Sequence, residues 1–189
     1  MEFKDVIANR RAVREYQNEN VDRAIIEGLI GAAILAPSAM NLQPWDFAVL
    51  LDRERIDDYA LRAKSWLLTN MSAASPEAQL RAMLEAPNFS IFYHAPALAM
   101  VIAKSADEQA KEDCCLAAEN LMLAARDQGL GSCWIGLARP WLNLPATKAE
   151  LGFAEQPEYL LMAKTGVLAA SLLAGVLGYI WLWWLGRER

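Results

Sequence analysis

Apolar residues recur at helical spacing early in the chain and gather into continuous runs later. Phe3, Val6 and Ile7 share a face of a short helix predicted over residues 2–10. Asp22 is placed to cap a second helix running to about Ala36, with Ile25, Ile26, Leu29, Ile30 and Ala33 inward and Pro37 as its stop. Trp45–Leu51 reads as a buried strand, and Pro96–Ala103, wholly apolar, as a central one. Residues 53–86 look helical but broken, with Ser75-Pro76 as a new start; Asn70, Ser72 and Ser75 suggest a mobile lid. Glu112–Gln128 is a long helix, apolar nearly all round at Cys115, Leu116, Ala118, Leu121, Met122, Ala124 and Ala125. It is expected to meet both a core and a partner subunit. Gly129-Leu130-Gly131 closes it. Ser132–Leu137 reads as a short strand or turn, Pro145–Leu151 as a small helix and Glu158–Ala163 as another strand. Helices interleaved with a few strands make the class α/β or α+β.

Composition narrows the function. The chain has 189 residues, enough for one stable domain, and a net charge of −5 with no basic face, which argues against a nucleic-acid partner. Adjacent Cys114 and Cys115 with Cys133 make a poor disulfide framework, and without C-x-x-C spacing they spell no zinc site. His94, the single histidine, lies beside an apolar strand and reads as structural or surface. The N-terminus has no apolar signal region, so a cytoplasmic catalytic domain is expected.

Three clusters carry the chemistry. Arg10, Arg11 and Arg14 flank Ala12 and Val13, and guanidinium groups pair bidentately with phosphate. Pro37-Ser38-Ala39-Met40-Asn41-Leu42-Gln43-Pro44-Trp45 is an amide-rich turn whose Asn41 and Gln43 can both donate and accept. Gly131-Ser132-Cys133-Trp134-Ile135-Gly136 is a glycine-bounded turn that lets backbone approach a flat ligand.

In order and spacing, these clusters resemble the FMN-dependent nitroreductase family over about residues 3–163. The resemblance implies an α+β three-layer sandwich around a central mixed or antiparallel sheet. It also implies an obligate homodimer with two FMN sites lined by both subunits. Hydride would pass from NADH or NADPH through FMN to a quinone, nitroaromatic or similar small acceptor by ping-pong transfer. By the same resemblance, Arg10, Arg11, Ala12 and Arg14 would face the FMN phosphate and ribityl end, Ala12 standing where the family has serine. Pro37, Ser38, Ala39, Asn41 and Gln43 would reach the other subunit's flavin. Cys133, Trp134, Ile135 and Gly136 would lie against one flavin face, with the Ile135 N–H toward N5. No catalytic side chain is expected, because the cofactor carries the chemistry. Glu119 and Asn120 are expected to make dimer or core contacts.

The chain departs from the family after residue 163. Where a basic arm is expected, residues 164–189 form a hydrophobic tail in which Gly166–Gly186 is 21 residues without a charge. That length as a helix would span roughly 30 Å of hydrocarbon. Tyr179, Trp181, Trp183 and Trp184 crowd one end, and Gly166, Ala170, Ala174 and Gly178 recur every fourth residue. An apolar C-terminal helix tethering the domain to the inner face of a membrane is therefore expected. Two further readings remain. One is a reductive dehalogenase of the same superfamily, whose lid would come from residues 57–90 with Tyr59, Lys64 and Glu85 as candidates. The other is a non-catalytic, membrane-anchored domain that has lost its flavin.

Overall fold

A computed structural model describes residues 1–71 and 78–153, together with the backbone of 165–170. Among the described residues, four strands, β1 (Trp45–Leu50), β2 (Ala97–Ala103), β3 (Leu130–Ile135) and β4 (Thr165–Ala170), form one sheet in the order β1-β2-β4-β3. Every neighbouring pair is antiparallel. The helices are α1 (Phe3–Asn9), α2 (Arg23–Ala33), α3 (Arg53–Asn70), α4 (Ala78–Glu85), α5 (Glu108–Asp127), α6 (Arg139–Leu142) and α7 (Pro145–Glu150).

Strand β2 explains the layers. All seven of its residues are buried, and their alternation divides them between two cores. Leu98, Met100 and Ile102 point into a core of large side chains, among them Tyr59 of α3, Phe92 and Trp141 of α6. Ala97, Ala99, Val101 and Ala103 point the other way, toward Ile26 and Leu29 of α2 and toward α5. On α5 the facing residues are Ala110, Ala117, Ala118 and Ala125. Small residues on both surfaces let α5 pack against the sheet. The result is the helix–sheet–helix sandwich that the family resemblance implies.

The local signals explain most boundaries. Asp22 accepts from the Ala24 N–H and Asp52 from the Arg55 N–H, fixing the starts of α2 and α3. Asp107 accepts from the Ala110 N–H, so α5 begins before Glu112. Several expectations need correction. Strand β1 is an edge strand and half-buried through its middle. Helix α1 buries Val6 but leaves Phe3 and Ile7 exposed. Leu116 of α5 is also exposed, so this helix is covered on one side by its own chain.

The largest correction concerns the tail. Thr165–Ala170 pairs with both β2 and β3, so the run expected to be an apolar helix over 166–186 begins as a central strand. A continuous apolar run suits a doubly covered strand as well as a buried helix, and periodicity does not separate them. The strand expected over 158–163 and the rest of the tail lie outside the described residues, as do Ser72 and Ser75 of the expected lid; Asn70 ends α3. Among the described residues, no helix is long and apolar enough to cross a membrane.

Arg62 joins α3 to the helices that follow β3. Its Nη1 donates to Asp58 at 3.1 Å, and its two terminal nitrogens donate to Glu150 of α7 at 3.0 and 2.7 Å. The guanidinium also lies 5.3 Å from the Tyr59 ring centroid and 5.2 Å from that of Trp141. The group is partly exposed, so Arg62→Ala is expected to lower stability by about 1 kcal/mol. The hydrogen bond from Arg62 holds the Glu150 carboxyl below its usual range. A depressed folded-state pKa stabilises above the unfolded value, about 4.3, and that contribution is lost as pH falls through the folded one. Urea unfolding should therefore separate wild type from Arg62→Ala more at pH 7 than at pH 3. An equal gap at both would assign the loss to ring stacking.

Candidate functional site

The fold joins the first and third clusters. The Val13 N–H donates to the Ser132 carbonyl at 3.0 Å, and Ala12 forms a parallel bridge with Ser132. Gly131 makes this approach possible. A Cβ there would meet Cγ2 of Val13 at 2.8 Å and its Cβ at 2.9 Å. Segment 10–14 thus lies along the free edge of β3, its backbone held and its arginines free to vary in direction.

The three arginines separate. Arg10 is half-buried, with Nε 4.0 Å from Oε1 of Glu119 on α5. The Arg14 guanidinium lies 5.8 Å from the Tyr93 ring centroid and beside Cys133. Arg11 points back to α1, where Nη1 donates to the carbonyls of Ala8 and Arg10 at 2.8 Å each. A cation there satisfies the helix C-terminus, so Arg11 is committed to α1. That leaves Arg10 and Arg14 as the two guanidinium groups of the cluster not committed to α1.

Burial pushes the Cys133 thiol up, against the opposing pull of Arg14. Burial also pushes the Cys114 thiol up, to about 12. Both are therefore protonated at neutral pH and poor nucleophiles. Trp134 is half-buried, Ile135 is buried as the last residue of β3, and Gly136 is exposed. Nothing lies within 4 Å of the place a Gly136 Cβ would occupy, so open space adjoins the backbone there.

The second cluster is anchored elsewhere, on α5. The Ala39 N–H donates to both carboxylate oxygens of Asp113, at 3.3 and 3.2 Å, and the Cys114 thiol donates to the Pro44 carbonyl at 3.8 Å. Within the turn, the Gln43 N–H donates to Ser38 Oγ at 3.0 Å. Met40, Asn41 and Gln43 hold left-handed backbone at φ 50°, 54° and 48°. Pro37, Asn41 and Gln43 are exposed, while Ser38 and Ala39 are half-buried.

Sequence reading missed Tyr93 and Asp113, and it gave Glu119 a dimer or core contact where the structure sets it near Arg10. Tyr93 and His94 both have φ 53°, a turn before Ala95-Pro96 that sets the ring against Arg14. Asp113 is a buried carboxylate on the packed face of α5, and a lone acid there was the available signal. His94 is a surface residue, its Nδ1 2.9 Å from Asp57. The dehalogenase candidates are otherwise engaged. Tyr59 is fully buried, Lys64 donates to the carbonyls of Ala86 and Phe89, and Glu85 pairs with Arg81. A 330 Å³ hollow between α2 and β1 is lined by Ile26, Ile30, Phe47, Val49 and the Arg23–Glu27 pair. It lies apart from all three clusters and has no converging donors.

The sequence profile of the Nitroreductase family matches residues 7–166. This chain belongs to the nitroreductase family. It is 34% identical, over 79% of its length and 76% of the relative's, to an Archaeoglobus fulgidus protein provisionally named NADH dehydrogenase/NAD(P)H nitroreductase. Its fold superposes on a Bacteroides fragilis nitroreductase with bound FMN at a TM-score of 0.76 and 25% identity, covering 90% of this chain and 89% of that one. A different likeness is confined to 41 residues, 22% of the chain. They are 56% identical to part of the Na(+)/H(+) antiporter NhaA 1 of Saccharophagus degradans, over 9% of its length.

The site fits a phosphorylated flat cofactor in two respects. Arg10 and Arg14 supply donors beside β3, and the space at Gly136 admits a ring against backbone.

Proposed function

We propose that this chain is an FMN-dependent oxidoreductase. It would take hydride from NADH or NADPH and pass it to a quinone, nitroaromatic or similar acceptor in a ping-pong cycle. The observation that supports this reading is the docking of segment 10–14 on β3 across Gly131, with the Arg14 guanidinium beside Cys133 and open space at the Gly136 backbone further along the same strand end. When bound, FMN would supply the hydride-accepting and hydride-donating ring. Arg10 and Arg14 would hold its phosphate and ribityl end, and the backbone at Ile135–Gly136 would lie against one ring face. Cys133 would remain a neutral, packed thiol.

We also propose a homodimer with shared sites. Phe3, Ile7, Leu35, Met40, Leu42 and Leu116 are exposed. They belong to α1, the end of α2, the amide-rich turn and α5, elements that meet through α5. Exposed apolar side chains grouped on adjoining elements suit a second copy, which would bring Asn41 and Gln43 to the other subunit's flavin. The catalytic domain is read as cytoplasmic. The tether is weaker: with Gly166–Ala170 in β4, residues 171–186 as a helix would reach about 24 Å, short of the roughly 30 Å core. The antiporter likeness covers too little of a transporter to carry transport.

The test is an absorption spectrum of the purified full chain with FMN counted per chain, followed by NAD(P)H oxidation with quinone and nitroaromatic acceptors. About one FMN per chain and acceptor-dependent turnover are expected. A folded protein that stays colourless with added FMN would instead support the non-catalytic reading.

A further inference from the structure

Asp113 does not cap its own helix. It lies in the second turn of α5, where the start is already capped by Asp107. The residue is nevertheless only 2% exposed, and no ion pair reaches it among the described residues. Burying a carboxylate is costly unless donors surround it. Its donors are the Ala39 N–H and Gln109 Nε2, the latter at 3.3 Å. The next residue, Cys114, takes the other end of the same turn through Pro44.

The turn needs this hold. Three residues without the freedom of glycine adopt left-handed backbone between Ala39 and Pro44, a conformation that persists where surroundings over-determine it. The bonds inside the turn, from Asn41 N–H to Ser38 O, from Leu42 N–H to Ala39 O and from Gln43 N–H to Ser38 Oγ, shape it but do not fix it to the fold. Bonds at its two ends do: the Lys104 N–H holds the Pro44 carbonyl at 2.9 Å, and on α5 the strongest acceptor, the Asp113 carboxylate, holds the Ala39 end. We propose that Asp113 is a positioning residue, which sets the Ala39–Gln43 turn and thereby presents the Asn41 and Gln43 amides to the flavin edge. The functional half of this assignment rests on the FMN reading above; the structural half does not.

The test compares wild type, Asp113→Asn and Asp113→Ala as full chains, with Arg62→Ala as a variant destabilised elsewhere. Amide hydrogen exchange on the FMN-free protein should quicken about tenfold or more within residues 38–43 of Asp113→Asn, with little change in the sheet. The FMN dissociation constant should rise by a similar factor, and Arg62→Ala should show neither effect. Asp113→Asn retains one acceptor and the side-chain volume, so it reports even if Asp113→Ala does not fold. Unchanged exchange at 38–43, or quickening spread equally over the whole domain, overturns the assignment. If wild type takes up no FMN, the flavin reading fails while the exchange result still judges Asp113.

Discussion

Replacing Gly131 with alanine is expected to destabilise the domain by about 1–3 kcal/mol, an overpacking cost, and to weaken FMN binding in the same step. The new methyl would sit 2.8–2.9 Å from three carbons of Val13. Val13 is β-branched, and its own Cβ is among those carbons, so no rotamer change relieves the contact. Either β3 or segment 12–14 must move. Strand β3 is held by a six-residue register with β4, so the segment should yield. The Val13 N–H would then leave Ser132, and Arg10 and Arg14 would lose their fixed relation to the Ile135–Gly136 backbone. Denaturant unfolding and FMN titration of Gly131→Ala check both effects. The double variant Gly131→Ala with Val13→Gly should recover most of the FMN affinity. Val13→Ala should recover little, because it keeps the offending Cβ. Wild-type affinity in Gly131→Ala would mean that the junction of the two clusters does not govern the site.

What could be read from the sequence divides by the range of the interaction behind it. The caps at Asp22 and the start of β2 were legible, because a side chain bonding two residues ahead and a wholly apolar run are local facts. The break near Ser75-Pro76 agrees with α3 ending at Asn70 and α4 starting at Ala78. Thr165–Ala170 was misread because its identity as a strand is conferred by β2 and β3, more than 60 and about 30 to 40 residues earlier. On α1 and α5, periodicity found apolar positions but could not say which the chain itself covers. Phe3, Ile7 and Leu116 belong to those left exposed.

The candidate site follows the same rule. Which residue types suit a phosphate was legible in the Arg10–Arg14 cluster, but not their directions. A helix end beside Arg11 claims one guanidinium, a contact visible once α1 stops at Asn9. The meeting of Val13 with Gly131 joins residues 118 apart in the chain, and that of Asp113 with Ala39 residues 74 apart. No local pattern encodes either meeting.

The separation of the arginines yields the second large effect. Arg10→Ala is expected to raise the FMN dissociation constant about 10- to 100-fold, the loss of a charged hydrogen bond to phosphate. Stability should hardly change: Arg10 is half-exposed and its described ion pair, to a half-exposed Glu119, is as long as 4.0 Å. Arg11→Ala should do the reverse. It removes two hydrogen bonds from the α1 terminus, so the unfolding midpoint should fall slightly while FMN affinity stays within a fewfold of wild type. Three neighbouring cations of equal charge would act alike if the cluster worked through net electrostatics alone. The paired measurement therefore tests direction rather than charge. Parallel losses of FMN in Arg10→Ala and Arg11→Ala would show that position along the β3 edge does not matter. FMN retained by Arg10→Ala but lost by Arg11→Ala would remove Arg10 from the site altogether.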